Sequence, residues 1–267
     1  MVARKKSLKK FVYFFGNKKS DGDGSMKEVL GGKGAGLAEM TQIGINVPPG
    51  FTISTNVCSI FYENKKRTPK AIILEIKEHL SKLEKLTGKG FGSSRNPLLV
   101  SVRSGAMFSM PGMMDTILNL GLNDKTVVAL SKKTNNPRFA WDAYRRFIQM
   151  FSDVVLKIDR NLFEDMLEEL KKQKGAKHDI DLDDTTLKSL VQNYKKLVKS
   201  KTGSEFPQSP LDQLIKAIDA VFLSWNNKRA IFYRKKYNIP SDIGTGVTVQ
   251  SMVFGNMGED CGTGVGF

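Results

Sequence analysis

Arg103 is the residue around which the chemistry of this 267-residue chain can be organised. It follows the run Leu98-Leu99-Val100-Ser101-Val102 and opens the loop Ser104-Gly105-Ala106-Met107-Phe108-Ser109, which continues as Met110-Pro111-Gly112-Met113-Met114-Asp115. The apolar run predicts a buried strand over 98–102. A strand that delivers a cation and free backbone N–H groups at its C-terminal end suits an anion, phosphate above all. The Met-Pro-Gly-Met-Met-Asp run is too apolar for an idle surface turn. The competing reading is a hairpin edge with an incidental arginine.

A second segment bears on that choice. Residues 30–40, Leu-Gly-Gly-Lys-Gly-Ala-Gly-Leu-Ala-Glu-Met, set Gly31, Gly32 and Gly34 around Lys33, just before a predicted amphipathic helix carrying Leu37, Met40 and Ile43. Glycine permits close backbone approach, a helix N-terminus favours negative charge, and lysine adds a mobile point charge. The GxxxxGK[ST] spacing of a Walker A loop is absent. Alone the glycine segment is weak; paired with Arg103 about seventy residues on, it argues for a phosphate site.

The elements that must hold these residues change character along the chain. Short strands are predicted at 11–15, 51–54 and 98–102, and a helix at 70–86 with Ile72, Ile73, Ile76, Leu80 and Leu83 on one face. From about 123 to 237 the pattern is helical almost throughout, with helices at 139–155, 184–199 and 211–225. Ser209-Pro210-Leu211-Asp212 reads as a helix start, with Ser at the cap and Pro at the first helical position. Residues 159–183 read as a charged, glycine-containing hinge. Strand alternation resumes at 246–254, giving three expected parts: an α/β lobe at 1–122, a helical insertion at 123–237, and the first strand of another lobe within 238–267.

Composition removes several function classes. The chain is long enough for a real core, and 40% of it is hydrophobic. Its formal net charge of +15 raises nucleic-acid binding, but the lysines spread over helix surfaces without a basic-aromatic strand or zinc-finger spacing. Cys58 and Cys261 are isolated, so neither a disulfide framework nor a zinc site is indicated, and a reducing compartment fits. His79 and His178 read as surface residues. No run approaches 18 apolar residues, and the basic stretch near residues 4–10 reads as a loose terminus.

Five stretches together, residues 30–40, 48–55, 101–123, 136–150 and 249–258, resemble the pyruvate, phosphate dikinase family. They correspond to its GGKG, PxGFTIST, SVRSGA…SMPGMMDT…LNLGLN, NPRFA…YRRFIQM and VQxMVFGNMG segments. The resemblance covers essentially the whole chain after the first ten residues. Phosphoenolpyruvate synthases share the architecture but lack the Met-Pro-Gly-Met-Met-Asp run.

The resemblance implies an α+β fold: an ATP-grasp-like nucleotide-binding lobe with a large helical insertion and an incomplete second lobe. It implies a phosphotransferase that converts ATP, phosphate and pyruvate into AMP, diphosphate and phosphoenolpyruvate. Lys33 resembles the lysine on the α/β-phosphates, and Arg103 the arginine that stabilises the transferring phosphoryl groups. Gly32, Gly34, Ser104, Gly105, Ala106 and Ser109 would cradle the phosphates, and Arg146 is a third phosphate candidate. Gln250, Met252 and Val253 would run along the adenine. Met110–Met114 are expected to pack the loop base.

Magnesium is implied as cofactor, with ligands expected beyond this sequence; Asp115 and Asp260 sit in no matching motif. The phosphoryl-carrying histidine and the pyruvate-binding domain are likewise expected elsewhere, as is the homodimer contact of relatives. This reads as a C-terminally truncated piece, inactive alone, with a cytoplasmic or organellar (for example glycosomal) address and neither membrane nor nucleic acid as partner. A short nucleotide-binding protein without catalysis is the alternative.

Overall fold

Strand patterning gives this protein one sheet with two unlike faces. The computed structural model describes residues 10–258 and 260–264, so the basic run at 4–9 and the end at 265–267 lie outside the described residues. Strands β1 (Val12–Gly16), β2 (Lys19–Ser20), β3 (Gly50–Ile53), β4 (Val100–Gly105), β5 (Thr116–Leu120) and β6 (Gly246–Ser251) form a single antiparallel sheet. Their order is β2-β1-β3-β6-β4-β5. Val12, Phe51, Ile53, Val100, Val102, Val247 and Val249 alternate onto one face and are solvent-free. Tyr13, Thr52, Ser101, Arg103, Thr248 and Gln250 fall on the other, because successive strand residues point to opposite faces.

Helices cover each face according to what it presents. On the apolar face, α3 (Lys70–Thr87) brings Ile72, Ile76 and Leu83, and α8 (Pro210–Ser224) brings Leu214, Ile218 and Val221 into one core. On the polar face lies α1 (Lys27–Gln42), whose buried residues are small: Ala35 and Ala38 beside Leu30. The remaining helices are α2 (Asn56–Glu63), α4 (Thr126–Thr134), α5 (Pro137–Val154), α6 (Asn161–Lys174), α7 (Asp184–Thr202) and α9 (Lys228–Lys236).

Local chemistry starts and stops these helices. Asn136 accepts the Phe139 N–H at 3.0 Å ahead of Pro137 in α5, and Ser209 accepts the Asp212 N–H at 3.3 Å ahead of Pro210 in α8. Inside the helical block, Phe147 and Phe151 meet the Phe206 ring edge-on at 5.7 and 5.5 Å. Burying each such ring stabilises the fold by about 2–3 kcal/mol.

Several expectations change here. The stretch 159–183 contains α6, closed by Gly175 at φ 65°, because Phe163 and Leu167 bury one stripe of a charged segment. The strand expected at 246–254 ends at Ser251. It lies between β3 and β4, in the middle of the first sheet. β5 forms over Thr116–Leu120, for which no element was expected. His79 is buried at 4% exposure: it continues the Ile72–Ile76–Leu83 face of α3, and its Nδ1 lies 2.8 Å from the Glu75 carbonyl. In α1 the buried face is Leu30, Ala35, Ala38 and Thr41, leaving Ile43 exposed. Met110 is buried, with Met113 and Met114 packed against the core.

Candidate functional site

The glycine segment lies inside α1, where it breaks the helix. Gly31 adopts φ 68° and ψ 169°, and a Cβ there would stand 1.7 Å from the Gly105 carbonyl oxygen at the end of β4. Only glycine allows that approach. The contact is stitched by the Gly32 N–H, which donates to the Ala106 carbonyl at 2.9 Å. The helix thus restarts at Gly32 against the Arg103 loop, bringing its positive end to that place.

Lys33 projects there, exposed, into a cavity of ≈ 600 Å³ whose walls include Gly32, Ser104, Ala106, Ser109 and Thr116. Arg103 is half-buried and is not among the residues lining this cavity, whereas its neighbour Ser104 and its register partner Thr116 both are. Its Nη2 donates to Gln250 Oε1, while its buried Nε has no partner. Gln250 Nε2 donates in turn to the Pro48 carbonyl at 2.8 Å. Among the described residues Arg103 makes no ion pair. Burial lowers its pKa, and partial burial together with the Arg103 charge lowers that of Lys33. Among the described residues Lys33 likewise makes no ion pair, so two neighbouring cations stand here without a described counter-ion.

A second cavity of ≈ 240 Å³ is lined by Leu118, Asn119, Arg146, Met252, Val253 and Phe254. Thr116 and Leu118, about 7 Å apart along β5, line the first and second cavities respectively. Arg146 is held at its exposed position by Asp142, with Nε to Oδ2 at 2.9 Å. The neighbouring Arg145 is buried and bound to both Asp142 (2.6 Å) and Asp179 (2.8 Å). Burial opposes its charge, but the two carboxylates outweigh burial and raise its pKa. These residues border a third cavity of ≈ 500 Å³ that shares Leu118, Asn119 and Arg146 with the second.

The structure therefore gathers Gly32, Lys33, Ser104, Ala106 and Ser109 on one cavity, and Arg146, Met252 and Val253 on another. Gly34 faces inward, where a Cβ would meet Thr52 Cγ2 at 2.9 Å, and Gly105 is buried against Gly31. Gln250 sits beneath Arg103, apart from Met252 and Val253. Sequence reasoning missed Thr116, Leu118 and Asn119. The alternation Thr116-Ile117-Leu118 was the available signal for an edge strand. Asp115 faces away, its Oδ atoms 3.4 Å from Arg229 and 4.0 Å from Lys157. Among the described residues no three His, Cys, Asp or Glu side chains cluster to hold a metal, and no helix is long and apolar enough to cross a membrane.

A family model described as pyruvate phosphate dikinase, AMP/ATP-binding domain, matches residues 27–75 and 64–267. The chain is 52% identical over 261 residues to the pyruvate, phosphate dikinase of Clostridium symbiosum, covering 97% of this chain and 29% of that one. It is 53% identical over 258 residues to that of Entamoeba histolytica, with 96% and 29% covered. With pyruvate, phosphate dikinase 2 of Zea mays it shares 51% over 256 residues, again 96% and 29%. The chain thus spans less than a third of the length of these curated relatives.

Proposed function

Because this chain belongs to the pyruvate, phosphate dikinase family, as its AMP/ATP-binding domain, we propose that it binds ATP with the phosphates at Lys33 and Arg103. The nucleoside then lies toward the cavity of Met252, Val253 and Asn119, with Arg146 at its rim. The observation that carries this reading is the uncompensated Lys33–Arg103 pair, set beside a helix restart that glycine alone permits. An ATP-grasp-like arrangement, with nucleotide between this lobe and a second one, is part of the proposal, as is 123–237 acting as a helical insertion.

In the whole enzyme the reaction would be ATP + phosphate + pyruvate = AMP + diphosphate + phosphoenolpyruvate. The β-phosphate passes to a histidine on a further domain, and the γ-phosphate passes to inorganic phosphate. Lys33 and Arg103 stabilise the charge that shifts over the phosphate oxygens, and the guanidinium fork can bridge two of them. Magnesium, if bound, would supply positive charge that neutralises the phosphates. The cavity walls named above carry no carboxylate, so the residues at hand do not fit the metal by themselves. The roles of Lys33 and Arg103 are derived without it.

Calorimetry of ATP and AMP with residues 1–267 tests the reading. ATP is expected to bind, Lys33→Ala to weaken it about tenfold or more, and AMP formation from ATP, phosphate and pyruvate to be absent. ATP binding that is undetectable, or indifferent to Lys33→Ala, would sink it.

A further inference from the structure

Arg103 is half-buried, with its Nε shielded from solvent, and is anchored by an amide where an arginine drawn into a protein ordinarily finds a carboxylate. We propose that Gln250 is a positioning residue, holding Arg103 through a neutral acceptor so that the guanidinium is fixed yet uncompensated beside Lys33. This rests on the phosphate-binding reading above and adds to it the means by which the charge is kept available.

The orientation of the amide is settled by its other end. Gln250 Nε2 donates to the Pro48 carbonyl at 2.8 Å, and a carbonyl can only accept, so Oε1 is turned to Arg103 Nη2. Gln250 lies on β6 opposite Ser101 of β4, while Arg103 lies opposite Thr248, so all four share the polar face of the sheet. At 6% exposure Gln250 has little water competing for its amide. The neighbouring hydroxyls are neutral too: Thr248 Oγ1 lies 3.4 Å from Thr52 Oγ1, and Ser101 Oγ is 3.5 Å from the Gln250 carbonyl.

A glutamate at 250 would have the same reach and a different effect. Its carboxylate would pair with Arg103, cancel the charge felt by Lys33, and have to be displaced by any arriving phosphate. It would also set an acceptor against the Pro48 carbonyl. Glutamine avoids both. A mobile, unanchored arginine would keep the charge but lose rotamer freedom on binding, which weakens affinity.

The experiment compares residues 1–267 with Gln250→Glu and Gln250→Met. Lysines are ¹³C-dimethylated, and the Lys33 signal is identified by its loss in Lys33→Arg. Affinity is measured calorimetrically with sodium tripolyphosphate and with ATP. Gln250→Glu is expected to raise the Lys33 titration point, and to weaken tripolyphosphate binding about tenfold or more. Gln250→Met should leave the Lys33 titration lowered and weaken binding about three- to tenfold. A Lys33 titration unmoved in Gln250→Glu overturns the proposal. Should that variant not fold, tripolyphosphate affinity unchanged in Gln250→Met overturns it equally. If Lys33 responds to Gln250→Glu while neither ligand binds the native chain, the anchor stands and the ATP reading falls.

Discussion

Arg103 and Arg145 are both drawn into the protein, and they are treated in opposite ways. Arg145 is enclosed by Asp142 and Asp179, with Arg146 and Lys171 completing a network of alternating charge. Arg103 meets one neutral amide and leaves its Nε without a partner. Burial pushes against the charge of both, yet the pKa rises for Arg145 and falls for Arg103. The first arrangement fixes α5 to the turn at Asp179–Asp181 and asks for no further ligand. The second leaves the guanidinium charge unpaired among the described residues, as the proposed anion site requires. Charge within a fold becomes a binding site by being withheld from its counter-ion.

Substitutions can break this contrast at either end. The largest effect belongs to Asp142→Ala, which strips Arg145 of one carboxylate and leaves a buried charge underpaired. Urea unfolding should show a loss of about 3 kcal/mol, and a loss under 1 would mean that the network is not what holds α5. Next is Arg103→Met, which removes a cation that has no counter-ion. Stability should stay within about 1 kcal/mol while ATP affinity falls about 100-fold. If stability drops instead, Arg103 belongs with Arg145 as a structural residue.

The smallest effect comes from pH and sharpens the comparison. Lys33 titrates below its ordinary 10.5, through partial burial and then Arg103. Its charged form is disfavoured in the folded state, so this group adds stability as pH rises through the lowered pKa toward 10.5. ATP affinity should run the other way, steady near neutrality and declining as the ammonium deprotonates. Calorimetry from pH 7 to 10 reads the decline, and Lys33→Arg should move it out of range.

What could be read from the residues follows from what is local. The faces of α3, α7 and α8, and the cap at Ser209, are written within a few turns of helix, so periodicity locates them. Lys33 and Arg103 stood out because glycine and a cation beside an apolar run are themselves local signals. The burial of His79 was equally local, at the i+7 position from Ile72, and was passed over because its polarity was weighed above its spacing. α6 hid because two buried residues, Phe163 and Leu167, were outnumbered by charges. The pairing of Arg103 with Gln250, and the place of β6 between β3 and β4, join residues far apart in the chain. No window of sequence contains them.

That central place of β6 governs how the chain can be made. As the chain leaves the ribosome, β3 and β4 cannot be joined into one sheet until β6, which lies between them, has emerged after the stretch from Gly105 to Gly246. At about 5–20 residues per second, the nascent sheet spends roughly 7 to 28 s with two unpaired edges awaiting that strand. The helical block, rich in local contacts, can fold within that interval. The sheet is therefore the last layer to close, and the pairing of Arg103 with Gln250 forms only with its final strand.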